Sequence, residues 1–353
     1  MHTFEVNCNV CAAAYHYLHE HLPSLVQVSE FVERTNFYSG KGIMQIELRR
    51  YEYAKYGMMI QRYYLVLRCN ASIIMGDSKV FLVDLKKYTA AQILERLQKR
   101  LYEVNEFRYV RLDKLPISIF STNRADIAKD IAVDFPQLVV WLANMSFPYG
   151  YRNMKRKAIH KKIDDLYIES CCFYNGSRSI IVYHKWVELI NNHKRIMPEE
   201  EESLQHTVRV EVQIEKKGIY NMKLPTKRSI RPFLEQSFCD TYVAREMKAI
   251  FGAEKFVSRS KAVELISNST FKPYDKQVMM SIMDTIQRFR GLYELEKTIA
   301  DDNIHSPPQY GNLRSFKQRW LVKFKQLGIS PVTIPDVFGI DEIPSIYDLI
   351  TNN

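Results

Sequence analysis

The stretch TVRVEVQIE, Thr207–Glu215, alternates along its whole length. Val208, Val210, Val212 and Ile214 fall on one face of an extended chain, and Arg209, Glu211, Gln213 and Glu215 fall on the other. Period-two alternation of this kind predicts a half-buried β-strand with one face in a core and one in water. Upstream, NRADIAKDI, Asn123–Ile131, has the same grammar if extended: Arg124, Asp126, Ala128 and Asp130 share one face, and Ala125, Ile127, Lys129 and Ile131 the other. Two strands therefore carry an Arg-x-acid pattern; paired polar strand faces of this kind form a solvated, salt-bridged sheet surface or place carboxylate oxygens around a hard cation such as Mg²⁺ or Mn²⁺.

Other elements follow from the same signals. Between the two strands, Leu166 to Phe173 and Ser179 to Tyr183 read as a hairpin joined at Asn175-Gly176, a pair suited to a two-residue type I′ turn. Trp186 to Ile190 looks helical, the acidic run Glu199 to Glu202 reads as an exposed loop, and Lys155 to Lys162 as a basic connector. Strands are expected at Phe4 to Val10, Ile43 to Arg50, Tyr63 to Cys69, Val80 to Leu85 and Ile117 to Ile131. Ala90 to Glu106 has helical spacing at Ile93, Leu94, Leu97, Leu101 and Val104, and a further helix opens at Pro136. After Lys227 the pattern is helical, strongest in Asp275 to Ile299 and Leu313 to Leu327, with breaks at His305-Ser-Pro-Pro and at Gly328 and Pro331. The expected fold class is α+β: a mainly antiparallel sheet domain with flanking helices over residues 1–225, followed by a helical C-terminal domain over 226–353.

Composition fits a globular chain of about two domains: 353 residues, 46% hydrophobic, 12% aromatic and 25% charged. No stretch approaches the roughly 20 apolar residues of a membrane helix, and MHTFEVNCNV lacks the features of a signal peptide, so a cytoplasmic protein without a membrane partner is expected. Six cysteines are too few for a disulfide scaffold, and the Cys8/Cys11 spacing lies in a strand-like segment with no second pair. Cys171-Cys172 reads as a small-residue pair within the hairpin. No P-loop, Rossmann glycine fingerprint, HExxH or GxSxG occurs, which removes support for ATPase, dehydrogenase, zinc protease and α/β-hydrolase readings.

Charge points to a polyanion. The chain carries 50 Lys and Arg against 40 Asp and Glu, a net +10, with a pI near 9.1. Between Tyr151 and Pro198, 10 basic residues against 4 acidic ones give a local +6, interleaved with Tyr151, Tyr167, Tyr174, Tyr183 and Trp186. Cations alternating with rings suit phosphate neutralisation and base stacking, and suit a solvated basic face about as well. On the late helix, Arg314, Lys317, Arg319, Lys323 and Lys325 form a second basic face, either a helix-turn-helix-like reader of duplex DNA or simply a solvated surface.

Chemistry centres on Ser179-Ile-Ile-Val-Tyr183-His-Lys185-Trp-Val-Glu188, where an apolar strand ends in Tyr, Lys and Glu. A phenol with a pKa near 10 is only about 0.1% ionised at neutral pH and needs a neighbouring cation to act as a nucleophile. Lys185, or a metal held by carboxylates of the two Arg-x-acid strands, would serve; the alternatives are a packed tyrosine and a salt-bridged sheet surface.

The run IVYHKWVEL, preceded by NRADIAKDI and followed by VRVEVQIEK, resembles the rolling-circle replication initiators of the filamentous-phage gene II family and related phage and plasmid proteins of Firmicutes. The tail FKQRWLVKFKQLGI is also similar, and the likeness covers roughly residues 115 to 335. It implies a nicking endonuclease domain over residues 1–225. In such an enzyme a tyrosine attacks a backbone phosphate at the replication origin, forms a 5′-phosphotyrosyl link, leaves a 3′-OH, and later rejoins the strand. Carried over by motif, Tyr183 is the expected nucleophile and Lys185 its cationic neighbour; Asp126 and Glu211, with Glu188, are the expected ligands of Mg²⁺ or Mn²⁺. Arg124 and Arg209 would orient those carboxylates or clamp phosphate. Lys155, Arg156, Lys157 and Arg178 complete the expected DNA-binding set. The implied partners are origin DNA, single-stranded or hairpin at the nick, and a host helicase and polymerase. The His-hydrophobic-His metal strand of many such initiators is absent; His19-Glu20-His21 is the nearest feature. The competing reading is a non-catalytic origin-binding or regulatory protein.

Overall fold

The computed structural model describes residues 2–77, 80–135, 137–146, 151–158, 168–192, 196–224, 228–301 and 308–352. Pro136, Lys161, Lys162, the first two residues of the expected 166–173 strand and His305 to Pro307 lie outside them. The fold is α+β, with a large antiparallel sheet and many helices.

The strands of this sheet are β1 (Thr3–Val10), β2 (Val26–Ser29), β3 (Val32–Thr35), β4 (Ile43–Lys55), β5 (Met58–Asn70), β6 (Ser121–Ala132), β7 (Arg152–Ala158), β8 (Ile168–Tyr174), β9 (Arg178–His184) and β10 (Thr207–Glu215); β11 (Phe256–Val257) and β12 (Glu342–Ile343) pair antiparallel in a second, two-stranded sheet among the C-terminal helices. Helices α1 (Ala12–His21), α2 (Ala71–Met75), α3 (Ala90–Tyr102) and α4 (Asn105–Tyr109) precede β6. Helices α5 (Leu138–Ala143), α6 (Lys185–Asn191) and α7 (Pro198–Gln205) lie between β6 and β10. After β10 come α8 (Lys216–Asn221), α9 (Gln236–Phe251), α10 (Arg259–Ser267), α11 (Pro273–Arg288), α12 (Leu292–Ala300) and the helical run from Leu313 to Gln326.

The chain divides into two compact units interleaved in sequence. The first holds Met1–Lys129, Gly176–Ser179 and Glu211–Tyr242; the second holds Asp130–Asn175, Ile180–Val210 and Val243–Asn353. The first unit thus continues to Tyr242, beyond the boundary expected near residue 225.

In the first unit the strand order is β2-β3-β4-β5-β1-β6-β10. Alternation sorts its two faces. Phe4, Val6 and Cys8 pair with Cys69, Leu67 and Leu65, and Ile46 and Leu48 continue the layer; all are buried. Leu18 of α1 and Ile93, Leu97 and Leu101 of α3 are buried too. Each such aliphatic side chain contributes on the order of 1.5–3 kcal/mol by leaving water. α3 opens on a capping box in which Thr89 and Gln92 satisfy each other's backbone N–H groups. The opposite sheet face carries Glu5, Asn7, Glu47, Arg49, Arg68, Arg124 and Asp126, placed there by the same registers. In the second unit the order is β6-β10-β9-β8-β7.

Several expectations change. Val80 to Leu85 forms no strand, because the Asp84 carboxylate accepts the N–H groups of Lys86 and Lys87 and turns the chain. Glu199 to Glu202 is not a loop but part of α7, which starts with Pro198 in its first turn, where acidic side chains favour the positive helix end. Lys155 to Ala158 is strand rather than connector: β7 pairs antiparallel with β8, Arg156 opposite Cys171. The Asn175-Gly176 turn is not type I′, since neither residue is among the described residues with positive φ. Ala90 to Glu106 splits into α3 and α4, and Asp275 to Ile299 into α11 and α12, the latter at Arg290 (φ 58°) and Gly291 (φ 149°). Most importantly, β10 has no wet face at Arg209 and Glu211, because a strand paired on both sides buries them along with its valines.

Candidate active site

In the second unit β9 ends at His184 and α6 begins at Lys185. His184 caps that helix, its Nδ1 accepting the Val187 N–H at 3.2 Å, which leaves no role for it as a ligand. Burial pushes the His184 pKa down; a hydrogen bond to the Gln205 backbone opposes this, and His206 adds to it. Tyr183 is 8% exposed and Lys185 only 2%. The Lys185 ammonium donates to Glu188 Oε2 at 2.8 Å and stands 5.7 Å from the centroid of the Tyr183 ring. Glu188 also accepts from Asn192 Nδ2, at 2.7 Å. The structure therefore brings Tyr183, Lys185 and Glu188 together, as helix spacing of i and i+3 requires for the last two.

The other half of the predicted set lies in the first unit. Asp126 is buried and accepts from Arg124 Nε at 2.7 Å and from the Thr3 hydroxyl, with Arg68 at 3.9 Å. Glu211 accepts from Gln213 Nε2 at 2.7 Å. Arg124 joins these acids: burial works against its charge, but Asp126, Glu215 and Glu211 outweigh that and raise its pKa. Arg178, at the start of β9, is half-buried. Lys155, Arg156 and Lys157 lie on β7, and their side chains fall outside the described residues.

Arg209 differs from the expected phosphate clamp. It is 0% exposed and forks onto Asp130, with Nε to Oδ1 at 2.5 Å and Nη2 to Oδ2 at 2.7 Å, so it orients a carboxylate. The late basic face is also occupied by its own chain: Lys317 pairs with Glu296, Arg319 and Lys323 with Asp275, and Lys325 with Glu254. The Cys8 thiol is raised to about 12 by burial on the core face of β1, which makes it an inert packing group.

Around Arg124 the first unit opens a polar cleft of about 510 Å³, lined among others by Glu5, Asn7, Arg49, Tyr64, Asn123 and Glu215. A β-bulge shapes it: Glu5 pairs with Arg124 and Val6 with Thr122, so Asn123 is an extra residue. Asn123 donates to Glu5 at 3.1 Å, while its buried Oδ1 has no hydrogen-bond partner among the described residues. Glu215 is held above the usual carboxylate range, first by burial and then by Asp126 and Glu5, against the pull of Arg124 and Arg68. The cleft carries both signs, Arg49, Arg124 and Lys216 beside Glu5 and Glu215, and its acceptors are the hard oxygens that Mg²⁺ or Mn²⁺ prefers. In kind, the residues fit such an ion, although Arg124 and Thr3 already engage Asp126. Among the described residues no three His, Cys, Asp or Glu side chains converge as a ready metal site.

Sequence reading missed Glu5, Asn123 and Glu215 as members of this cleft. Only the register of β1 against β6 brings Glu5 there; Glu215 was visible on the polar side of TVRVEVQIE. The sequence matches no protein-family model and no curated protein at a significant level. No described helix is long and apolar enough to cross a membrane.

Proposed function

We propose that this protein is a DNA nicking and rejoining enzyme that initiates rolling-circle replication, with Tyr183 as its nucleophile. The observation that carries this reading is Lys185, a buried ammonium fixed by Glu188 beside the Tyr183 ring. Lysine is rarely buried without a partner, and a cation so held favours both a phenolate and the charge that develops on an attacked phosphate. In the reaction the Tyr183 oxygen bonds to phosphorus and the P–O3′ bond breaks. The phenol gives up one proton and the departing 3′ oxygen gains one, so one ester replaces another and the strand can later be rejoined. Asp126 and Glu211 would hold Mg²⁺ or Mn²⁺, and the bound ion would neutralise phosphate charge. Glu188 serves Lys185.

The burial of Tyr183 favours a second reading, an origin-binding protein that does not cut. Under the first reading DNA must expose the end of β9. A covalent adduct separates the two. Purified protein incubated with supercoiled DNA carrying its origin and Mg²⁺ or Mn²⁺ should nick it and remain on the 5′ end, and a chelator should stop both. Tyr183→Phe should abolish nicking and adduct while keeping salt-sensitive DNA binding; retained cleavage moves the nucleophile elsewhere. Asp126→Ala or Glu211→Ala should raise the metal concentration needed for half-maximal nicking. Neutralising Lys155, Arg156 and Lys157 together should flatten the salt dependence of DNA binding.

A further inference from the structure

In the first unit β4 and β5 continue beyond the core as a two-stranded ribbon. None of residues 51–64 is buried, and the ribbon closes at Tyr56 (φ 50°) and Gly57 (φ 74°) between the paired Lys55 and Met58. Both turn residues adopt the positive φ that a two-residue hairpin loop needs. Tyr56 is 86% exposed, and Tyr51, Met58 and Met59 are exposed as well. So much bare aromatic and thioether surface on a protruding element calls for a partner.

The two faces of the ribbon differ. On one, Arg50 lies opposite Tyr63 and Glu52 opposite Gln61. Arg50 pairs with Glu52 at 3.3 Å, Gln61 donates to Glu52 at 2.8 Å, and Tyr63 donates to Gln61 at 2.5 Å, so the charges on this face cancel. On the other, Tyr51 lies opposite Arg62, Tyr53 opposite Ile60 and Lys55 opposite Met58, with no acidic residue. The Arg62 guanidinium is 5.4 Å from the Tyr53 ring centroid, and Lys55 Nζ is 5.1 Å from that of Tyr56. At its root this face reaches Tyr51 and Tyr64, which line the cleft of Arg124 and Asn123.

We propose that the face bearing Tyr51, Tyr53, Lys55 and Arg62 binds single-stranded DNA and leads it into that cleft. The exposed Tyr51 and half-buried Tyr53, interleaved with cations that have no acidic partner among the described residues and running about 13 Å from Tyr51 to Lys55 at roughly 3.3 Å per residue, form a stacking platform for bases with phosphate contacts beside them. A ribbon laid in a duplex groove would turn one face to base edges and read them by hydrogen bonds, whereas here Tyr51, Tyr53, Met58 and Ile60 dominate the cationic face and suit unstacked bases. A self-associating ribbon has no use for a one-sided surplus of cations. The inference rests on reading the protein as one that works on DNA, and does not need Tyr183 to be its nucleophile.

The test is anisotropy of a labelled oligothymidylate titrated with the full chain. Tyr51→Ala with Tyr53→Ala should weaken binding at least tenfold. Lys55→Glu with Arg62→Glu should lower the salt slope by about 1.4, from two phosphate contacts at roughly 0.7 each. Glu52→Gln, on the neutral face, should leave affinity within twofold, and duplex affinity should hold in every variant. Unchanged oligothymidylate binding in the tyrosine pair overturns the proposal. Equal loss of duplex binding overturns it in favour of a groove reader, and a wild-type dimer in sedimentation that the tyrosine pair dissociates overturns it in favour of self-association. Nicking separates the two hypotheses: if Tyr183→Phe still cuts while the tyrosine pair loses binding, the nickase reading falls and the platform stands. If Tyr183→Phe stops cutting while the tyrosine pair binds normally, the reverse holds.

Discussion

Arg124 and Arg209 each stand two residues before an acid, Asp126 and Glu211, on strands with the same alternation. In the second unit Arg209 is sealed from solvent, and its fork is closed on Asp130 with matched geometry. In the first unit Arg124 keeps 21% of its side chain exposed and answers to Asp126 and Glu215 together, with Glu211 in its field. One arrangement is a single paired fork; the other is shared among several acids and opens to a cleft that also holds Arg49 and Lys216. An identical tripeptide pattern thus yields a closed ion pair in one place and a solvent-open, multi-partner cluster in another. The partner supplied by the neighbouring strand decides which.

The largest effect expected from breaking this contrast is at the closed pair. Asp130→Ala leaves a buried guanidinium without its counter-charge and should destabilise the protein by about 3–5 kcal/mol, read as a lower denaturant midpoint. Asp130→Leu combined with Arg209→Met should recover most of that loss, because two apolar groups of similar volume need no compensation. A cost below about 1 kcal/mol for the single change would mean that the pair is not closed.

How much of this could be read beforehand follows from the same contrast. The strand cores of β1, β4, β5, β6 and β10 were legible because apolar alternation is a local signal. So was the Tyr183, Lys185 and Glu188 grouping, where a strand end and one helical turn fix the distances. The fate of Arg209 was not legible, since its partner is 79 residues away in the chain. The reach of β4 and β5 was underestimated at Arg50 and Tyr63, because between those positions the strands have no core to alternate against. The Tyr56-Gly57 turn was the one local sign of the ribbon. Glu199 to Glu202 misled because a charge run suits a loop as well as an exposed helical turn.

A smaller loss is expected at the open cluster. Arg124→Ala removes a partner from Asp126 and Glu215, but Asp126 keeps Thr3 and Arg68, so the cost should be about 1–3 kcal/mol. The same denaturant series measures it, and it should fall clearly below that of Asp130→Ala. If Arg124→Ala costs as much, the two arginines are equally structural and the contrast between the strands disappears.

The smallest effect sharpens the contrast most, because it reports the burial of Glu215 together with the charges around it. Glu215 has a folded pKa above its ordinary value of 4.5, through burial and the nearby Asp126 and Glu5. As pH rises past about 4.5 the unfolded chain releases this proton first, so the native state binds more protons and stability falls until the folded pKa is passed. Glu215→Gln lacks that fall. It should match the wild type near pH 4 and exceed it near pH 7, by less than about 1 kcal/mol because the group is half-exposed to screening solvent. Thermal unfolding at the two pH values measures the difference. If a divalent cation binds among the oxygens of this cleft, as proposed, Mg²⁺ should raise the stability of the wild type at pH 7 more than that of Glu215→Gln. If wild type and variant share one pH profile, Glu215 feels neither burial nor its neighbours, and Arg124 with Asp126 would be as closed a pair as Arg209 with Asp130.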